Sequence, residues 1–153
     1  MNRDIWGPKI WFIFHRLSFF SDRTDIIGAW TKMLKELNEI IPCDLCKDHM
    51  RKYCMENPLR KVVVTGSKGA DIKKAIVQWF YRFHNKVNSD TKKQKFDKDK
   101  LYLFYGYGDR VELLADINRT IGELDKVWTL VPTRNWKESM KHLMGLISGG
   151  TLD

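Results

Sequence analysis

The segment IKKAIVQWFYRFHNKVN, residues 72–88, decides the fold. Its apolar residues Ile72, Ala75, Ile76, Trp79, Phe80, Phe83 and Val87 recur three and four apart, which is the period of one face of an α-helix and not the alternation of a strand. Upstream, Ile26, Trp30, Met33, Leu34, Leu37 and Ile41 repeat the pattern up to Pro42. An earlier helix is expected after Trp6-Gly7-Pro8, with Pro8 in its first turn and Trp11, Phe12, Phe14, His15, Leu17 and Phe19 along it. A further one starts at Pro42 and runs to about Asn57-Pro58, placing Cys43 and Cys46 in its first turn. Val62-Val63-Val64-Thr65 is the only strand-like run and has no evident partner. The expectation is an all-α chain with the short connections of a helical bundle.

Beyond Asn88, residues 92 to 100 are dense in lysine, and Gly106-Tyr107-Gly108 marks a boundary. Two more helices follow. One runs from Asp109 to about Trp128 with Val111, Leu114, Ile117, Ile121 and Leu124 as its apolar stripe; the other runs from Trp136 to about Ser148 with Met140, Leu143, Met144 and Ile147. The chain therefore divides into a helical domain over 1–105 and a C-terminal helical appendage over 106–153.

At 153 residues the chain holds one domain, and 43% hydrophobic with 30% charged residues places it among globular proteins. No apolar run approaches the ~20 residues of a membrane span. The opening Met1-Asn2-Arg3-Asp4 lacks the basic and apolar regions of a secretory signal, so an intracellular protein is expected. There are 27 basic and 19 acidic residues, a net charge of +8, which suits an anionic cofactor, an acidic partner or nucleic acid. Neither a Walker loop nor a G-x-G-x-x-G after a strand is present, so the standard nucleotide-binding βα folds have no support.

Cys43 and Cys46 are three apart, and on a helix that spacing brings two Cα atoms within the roughly 4.4 to 6.8 Å a disulfide needs. Cys54 lies eight residues further along, ~12 Å on a continuous helix, and has no obvious partner. A helix N-terminus lowers thiol pKa values and favours the thiolate, the setting of a redox dithiol. Two other readings compete. Cys43, Cys46, His49 and Cys54 approximate a zinc knuckle, but no glycine between Asp44 and Tyr53 supplies the turn that would converge them. The lysine cluster suits a basic helical nucleic-acid-binding module, but the aromatics lie on apolar faces and not among the lysines. Neither metal nor nucleic acid is expected.

Four blocks in order resemble the Erv/ALR family of FAD-linked sulfhydryl oxidases, in particular the short forms of large cytoplasmic DNA viruses. They are Trp6-Gly7-Pro8-Lys9-x-Trp11-x-x-x-His15, Pro42-Cys43-x-x-Cys46, Trp79-x-x-x-x-His84-Asn85-x-Val87-Asn88, and Lys93 with Phe96-Asp97. The resemblance implies an FAD-binding four-helix bundle of the Erv/ALR type with an additional C-terminal helical segment. It implies a thiol oxidase that forms disulfides in protein substrates and passes electrons to O2, giving H2O2. Cys43 and Cys46 would be catalytic. Trp11, His15, Trp79, Phe83, His84 and Val87 would wall the FAD, Asn85 and Asn88 supply polar contacts, and Arg82 and Lys93 meet phosphate or adenine. A thiol-containing protein substrate or a separate dithiol carrier protein would be the partner, the chain would form a homodimer, and host cytoplasm or virion would be its location. By periodicity alone Trp30 and Phe80 read as core, and His15 and His84 are singled out only by their matched blocks. Arg82 stands where many relatives have a second histidine, and Tyr81 and Lys98 stand where they have a stapling disulfide.

Overall fold

The computed structural model describes residues 2–62 and 68–149. Among these it contains seven α-helices and one 3-10 turn: α1 (Arg3–Ser18), α2 (Ile26–Ile40), α3 (Asp44–Glu56), the turn Leu59–Lys61, α4 (Gly69–Asp90), α5 (Lys98–Tyr105), α6 (Arg110–Val127) and α7 (Arg134–Ile147). The all-α expectation holds. Residues 63–65 of the strand-like run lie outside the described residues.

Helix α1 begins five residues earlier than Pro8 suggests. Asn2 caps it by accepting a hydrogen bond from the Asp4 backbone N–H at 2.9 Å, and Trp6 and Ile10, one turn apart, anchor the extra turn in the core. Pro8 then sits inside the helix, where its missing N–H forfeits one bond to the Asp4 carbonyl. Helix α5 is absent from the periodic reading because Leu101 alone anchors it; Asp97 starts it by capping the Asp99 N–H at 3.0 Å.

Helices α1, α2 and α4 enclose an aromatic and aliphatic centre. Phe14, Trp30, Phe80 and Phe83 are at most 3% exposed, and Trp30 packs on Phe80 with ring centroids 4.5 Å apart. Trp30 meets its one polar requirement by donating to Ser21 Oγ at 2.9 Å. At the start of α4 a Cβ on Gly69 would stand 2.7 Å from the Asp22 carbonyl oxygen, so the close approach of α4 to the α1–α2 connection excludes any larger residue.

Helix α6 lies along α1 and α7 along α2, and their buried side chains join the same core. Helix α6 buries Leu113, Ile117, Thr120 and Leu124: Ile117 and Leu124 belong to the expected stripe, but Leu113 and Thr120 take the places expected of Leu114 and Ile121, which line a shallow groove beside α7, and Val111 is 76% exposed. Apolar residues at both 113 and 114 make two overlapping stripes compatible with a helix, and packing on α1 selects between them. The link is anchored by Arg16, which is fully buried. Its guanidinium donates to the Tyr105 carbonyl at 3.0 Å and to the Tyr107 carbonyl, meets the Asp116 carboxylate at 3.3 Å, and lies 3.9 Å from the Tyr107 ring centroid. Gly108 turns the chain here at φ +76°, where a Cβ would come within 3.3 Å of the Arg16 guanidinium.

Candidate redox site

The connection from α2 to α3 is short, Ile41-Pro42-Cys43, and Cys43 is the N-cap of α3 with extended backbone (φ −161°, ψ 106°). Its sulfur accepts the Cys46 backbone N–H at 3.2 Å, as a serine oxygen would at the same position. Helical spacing puts the two Cα atoms 5.2 Å apart, and Cys43 and Cys46 form a disulfide. Helix α3 continues without a break to Glu56 and carries Cys54 away from the pair as a free thiol. Burial pushes the Cys54 thiol up to about 11, so at neutral pH it is protonated and a poor nucleophile. Replacing Cys54 with Ser is expected to leave the Cys43–Cys46 disulfide and its reactivity toward added thiols unchanged; a loss of that reactivity in a folded variant would make Cys54 a participant.

Cys46 opens onto a cavity of about 310 Å³ between the first half of α1, the start of α3 and the C-terminal end of α4. Cys43 is not among its lining residues. One wall is built of rings: Trp11 stacks on His84 at 4.0 Å with planes 6° apart, and Phe83 meets Trp11 edge-on at 5.0 Å. A 4.0 Å stack leaves no room for a third ring between its members, so a flat ligand has to lie against the outside of this pair. Phe96 and Tyr105 extend the wall, and Val87 and Asn88 line it from the last turns of α4.

His15 stands behind this wall. It is fully buried, and its Nε2 is 2.8 Å from His84 Nδ1, so one ring donates and the other accepts. The rings require complementary neutral tautomers. Burial holds the His15 imidazole well below its ordinary value of 6.5, helped by the neighbouring His84. Burial likewise lowers His84, helped by the Lys93 charge. Both rings bind protons more readily in the unfolded chain than in the folded one. Their contribution to stability is complete above pH 6.5 and is lost progressively as pH falls below it. The thermal midpoint should therefore fall between pH 7 and pH 5, and less steeply in a His15→Gln, His84→Gln double variant; equal slopes would refute this.

Three further residues singled out by sequence lie off the cavity. Trp79 is buried with its Nε1 donating to the Asn57 carbonyl at 2.8 Å, on the side facing Cys54. Arg82 is exposed, in a surface depression with Tyr81 and Lys86. Asn85 clasps the backbone of Phe96, accepting its N–H at 2.7 Å and donating to its carbonyl at 3.3 Å, and so fixes a wall residue without touching the cavity. Lys93 does reach the rim. The chain reverses after α4 through Lys92 at φ 57°, with the Lys93 N–H bonding the Asn88 carbonyl at 2.7 Å, and the Lys93 ammonium lies 3.5 Å from the Asp4 carboxylate.

The cavity also holds residues to which the sequence reading assigned no cofactor contact. Arg3 and Trp6 reach it from the extra turn of α1, His49 from the turn after Cys46, and Tyr105 from the unforeseen α5. Trp6 Nε1 and His49 Nδ1 are buried without a hydrogen-bond partner. Buried polar atoms without partners are uncommon, and here two belong to residues lining one cavity beside a disulfide, so a ligand with polar edges would satisfy them. In the sequence Trp6 opens the first matched block and His49 enters only through the zinc-knuckle spacing, although its i+3 position from Cys46 already places it on the face of that sulfur.

Among the described residues no helix is long and apolar enough to cross a membrane. The family model described as Erv1 / Alr family matches residues 8–105. The chain is 33% identical over 92 residues to FAD-linked sulfhydryl oxidases of African swine fever virus from Kenyan, Malawian and Namibian isolates, covering 58% of this chain and 70% of each relative. No solved structure matches.

Proposed function

Because the chain belongs to the Erv1/Alr family, we propose an assignment of its residues to the FAD-dependent oxidation of thiols by O2 that this membership entails. The overall reaction is 2 R–SH + O2 → R–S–S–R + H2O2. The cavity fits the isoalloxazine end of FAD: flat ring walls, two unsatisfied polar atoms and a redox-capable sulfur are what such a group needs. Trp11, Phe83, His84 and Val87 would wall it, Asn88 would contact its polar edge, and Lys93 at the rim would face phosphate. His15 and Asn85 would act through His84 and Phe96. Arg82, if it meets the cofactor, would do so outside the cavity, and Trp79 supports the helix that carries the wall.

The observation that carries the assignment is the asymmetry of the disulfide, with Cys46 on the cavity and Cys43 outside it. A substrate thiolate attacks Cys43 Sγ, and the Cys43–Cys46 bond breaks with its electron pair on Cys46. A second substrate thiol attacks the mixed disulfide at the substrate sulfur, releasing the substrate disulfide and leaving Cys43 reduced. FAD held at this wall would supply the two-electron acceptor for the Cys43–Cys46 dithiol and the route from it to O2, so that the disulfide is restored. The protein's part is to hold Cys46 ionised at the cavity wall and to leave Cys43 accessible.

The substrate is a thiol-containing protein or a separate dithiol carrier protein, the active form is a homodimer, and the site of action is the host cytoplasm or the virion. In this reading residues 1–105 carry the oxidase and residues 106–153 brace it. The zinc and nucleic-acid readings are not favoured beside the family match. Purified protein should absorb near ~375 and ~450 nm, as bound flavin does, and consume O2 when given a dithiol. A colourless protein that consumes no O2 would overturn the assignment.

A further inference from the structure

Two cations reach the cavity, and they are placed differently. Lys93 is engaged with Asp4 at the rim. Arg3 is half-buried, has no carboxylate within ion-pair distance among the described residues, and brings a guanidinium nitrogen to 3.9 Å from Cys46 Sγ. The other titratable residues that line the cavity with Cys46 are Asp4 and Lys93 at the rim, His49 one turn along α3, and His84 and Tyr105 on the ring wall, with Cys43 bonded to the sulfur itself. The second sulfur has another kind of neighbour, the Cys46 backbone N–H at the helix N-cap.

A disulfide opens toward the sulfur that leaves as the better thiolate. The backbone at the α3 N-terminus offers the equivalent of roughly half a charge, shared by two sulfurs that both lie in or before the first turn. Arg3 offers a full charge to one of them. The larger and more selective term therefore favours Cys46.

We propose that Arg3 sets the direction in which the Cys43–Cys46 disulfide opens, stabilising Cys46 as the departing thiolate so that the incoming thiol is accepted on Cys43. The inference rests on the unequal roles assigned above. The attacking sulfur contributes the pair that forms the new bond to Cys43 Sγ; the old S–S bond breaks with its pair on Cys46 Sγ. No proton moves in this step, and the negative charge passes from the substrate to a position beside the guanidinium. Arg3 is a positioning residue in this scheme, acting on Cys46 and not on substrate.

The test uses the full-length flavoprotein under anaerobic conditions with glutathione, an alkyl thiol that is not a better leaving group than the protein cysteines, as the thiol. After a short exposure and a quench with acid and N-ethylmaleimide, fragment-ion mass spectrometry locates the mixed disulfide. The parent protein should carry it on Cys43, Arg3→Gln should spread it to Cys46, and Arg3→Lys should restore most of the preference. In a Cys43→Ser background, Arg3→Gln should also raise the pH midpoint of Cys46 alkylation by about one pH unit or more, since an opposite charge at this range favours the ionised form by that much. Adduct on Cys43 in both parent and Arg3→Gln proteins, with an unmoved alkylation midpoint, would overturn the role of Arg3 alone. Adduct on Cys46 in the parent protein would overturn the unequal roles as well, and the proposal with them.

Discussion

Serine at position 43 or 46 is expected to stop dithiol oxidation in both cases, but only Cys43→Ser should show a broad absorbance at wavelengths beyond the flavin bands. The two cysteines are covalently joined and three residues apart, yet only Cys46 lines the cavity with the Trp11–His84 stack. Removal of Cys43 leaves Cys46 unpaired, with an Arg3 guanidinium nitrogen 3.9 Å away, and its thiolate would then face a flavin ring held at this wall. The absorbance should fade as acid protonates Cys46. In Cys46→Ser the remaining sulfur is the N-cap residue outside the cavity, and no such absorbance is expected. Its appearance in Cys46→Ser alone would exchange the two assignments, and residual turnover in either variant would mean that a third thiol can stand in.

The largest stability loss is expected from Arg16→Ala. Arg16 is completely buried and connects α1 to the segment between α5 and α6 through the Tyr105 and Tyr107 carbonyls and the Asp116 carboxylate. Alanine would leave two carbonyls without their donor. Asp116, its side chain 14% exposed, would keep only Arg119 at 3.1 Å and the Tyr107 hydroxyl at 3.0 Å. Removing one member of a buried ion pair costs about 3–5 kcal/mol, a large share of the roughly 5–15 kcal/mol that holds a domain together. Chemical denaturation should show the midpoint falling with little change in slope. A loss below about 1 kcal/mol would show that water replaces the guanidinium at little cost. Arg16→Met, which keeps bulk and removes charge, should be nearly as damaging because the carbonyls remain unsatisfied.

Sequence alone determined the features whose causes lie within about one helical turn. The period of residues 72–88 makes α4 a helix, and the i, i+3 spacing of Cys43 and Cys46 brings two sulfurs together whatever the rest of the chain does. Motif order marked Trp11, Phe83, His84, Val87, Asn88 and Lys93, which the fold gathers on one cavity. The same motifs marked Trp79, Arg82 and Asn85, which it does not, because a motif records position along a helix but not which neighbour each face will meet. Tertiary structure alone decided the rest. Arg3 and Cys46 are 43 positions apart, His15 and His84 are 69, and Arg16 and Asp116 are 100, and no local periodicity relates such pairs. The buried stripe of α6 is a similar case: residues 111–124 accommodate two stripes equally well, and contact with α1 buries Leu113 while leaving Val111 in solvent. Local hydrogen bonding and side-chain spacing are written in neighbouring residues, whereas the charge beside a sulfur, the partner of a buried imidazole and the occupant of a helix groove depend on how whole helices pack.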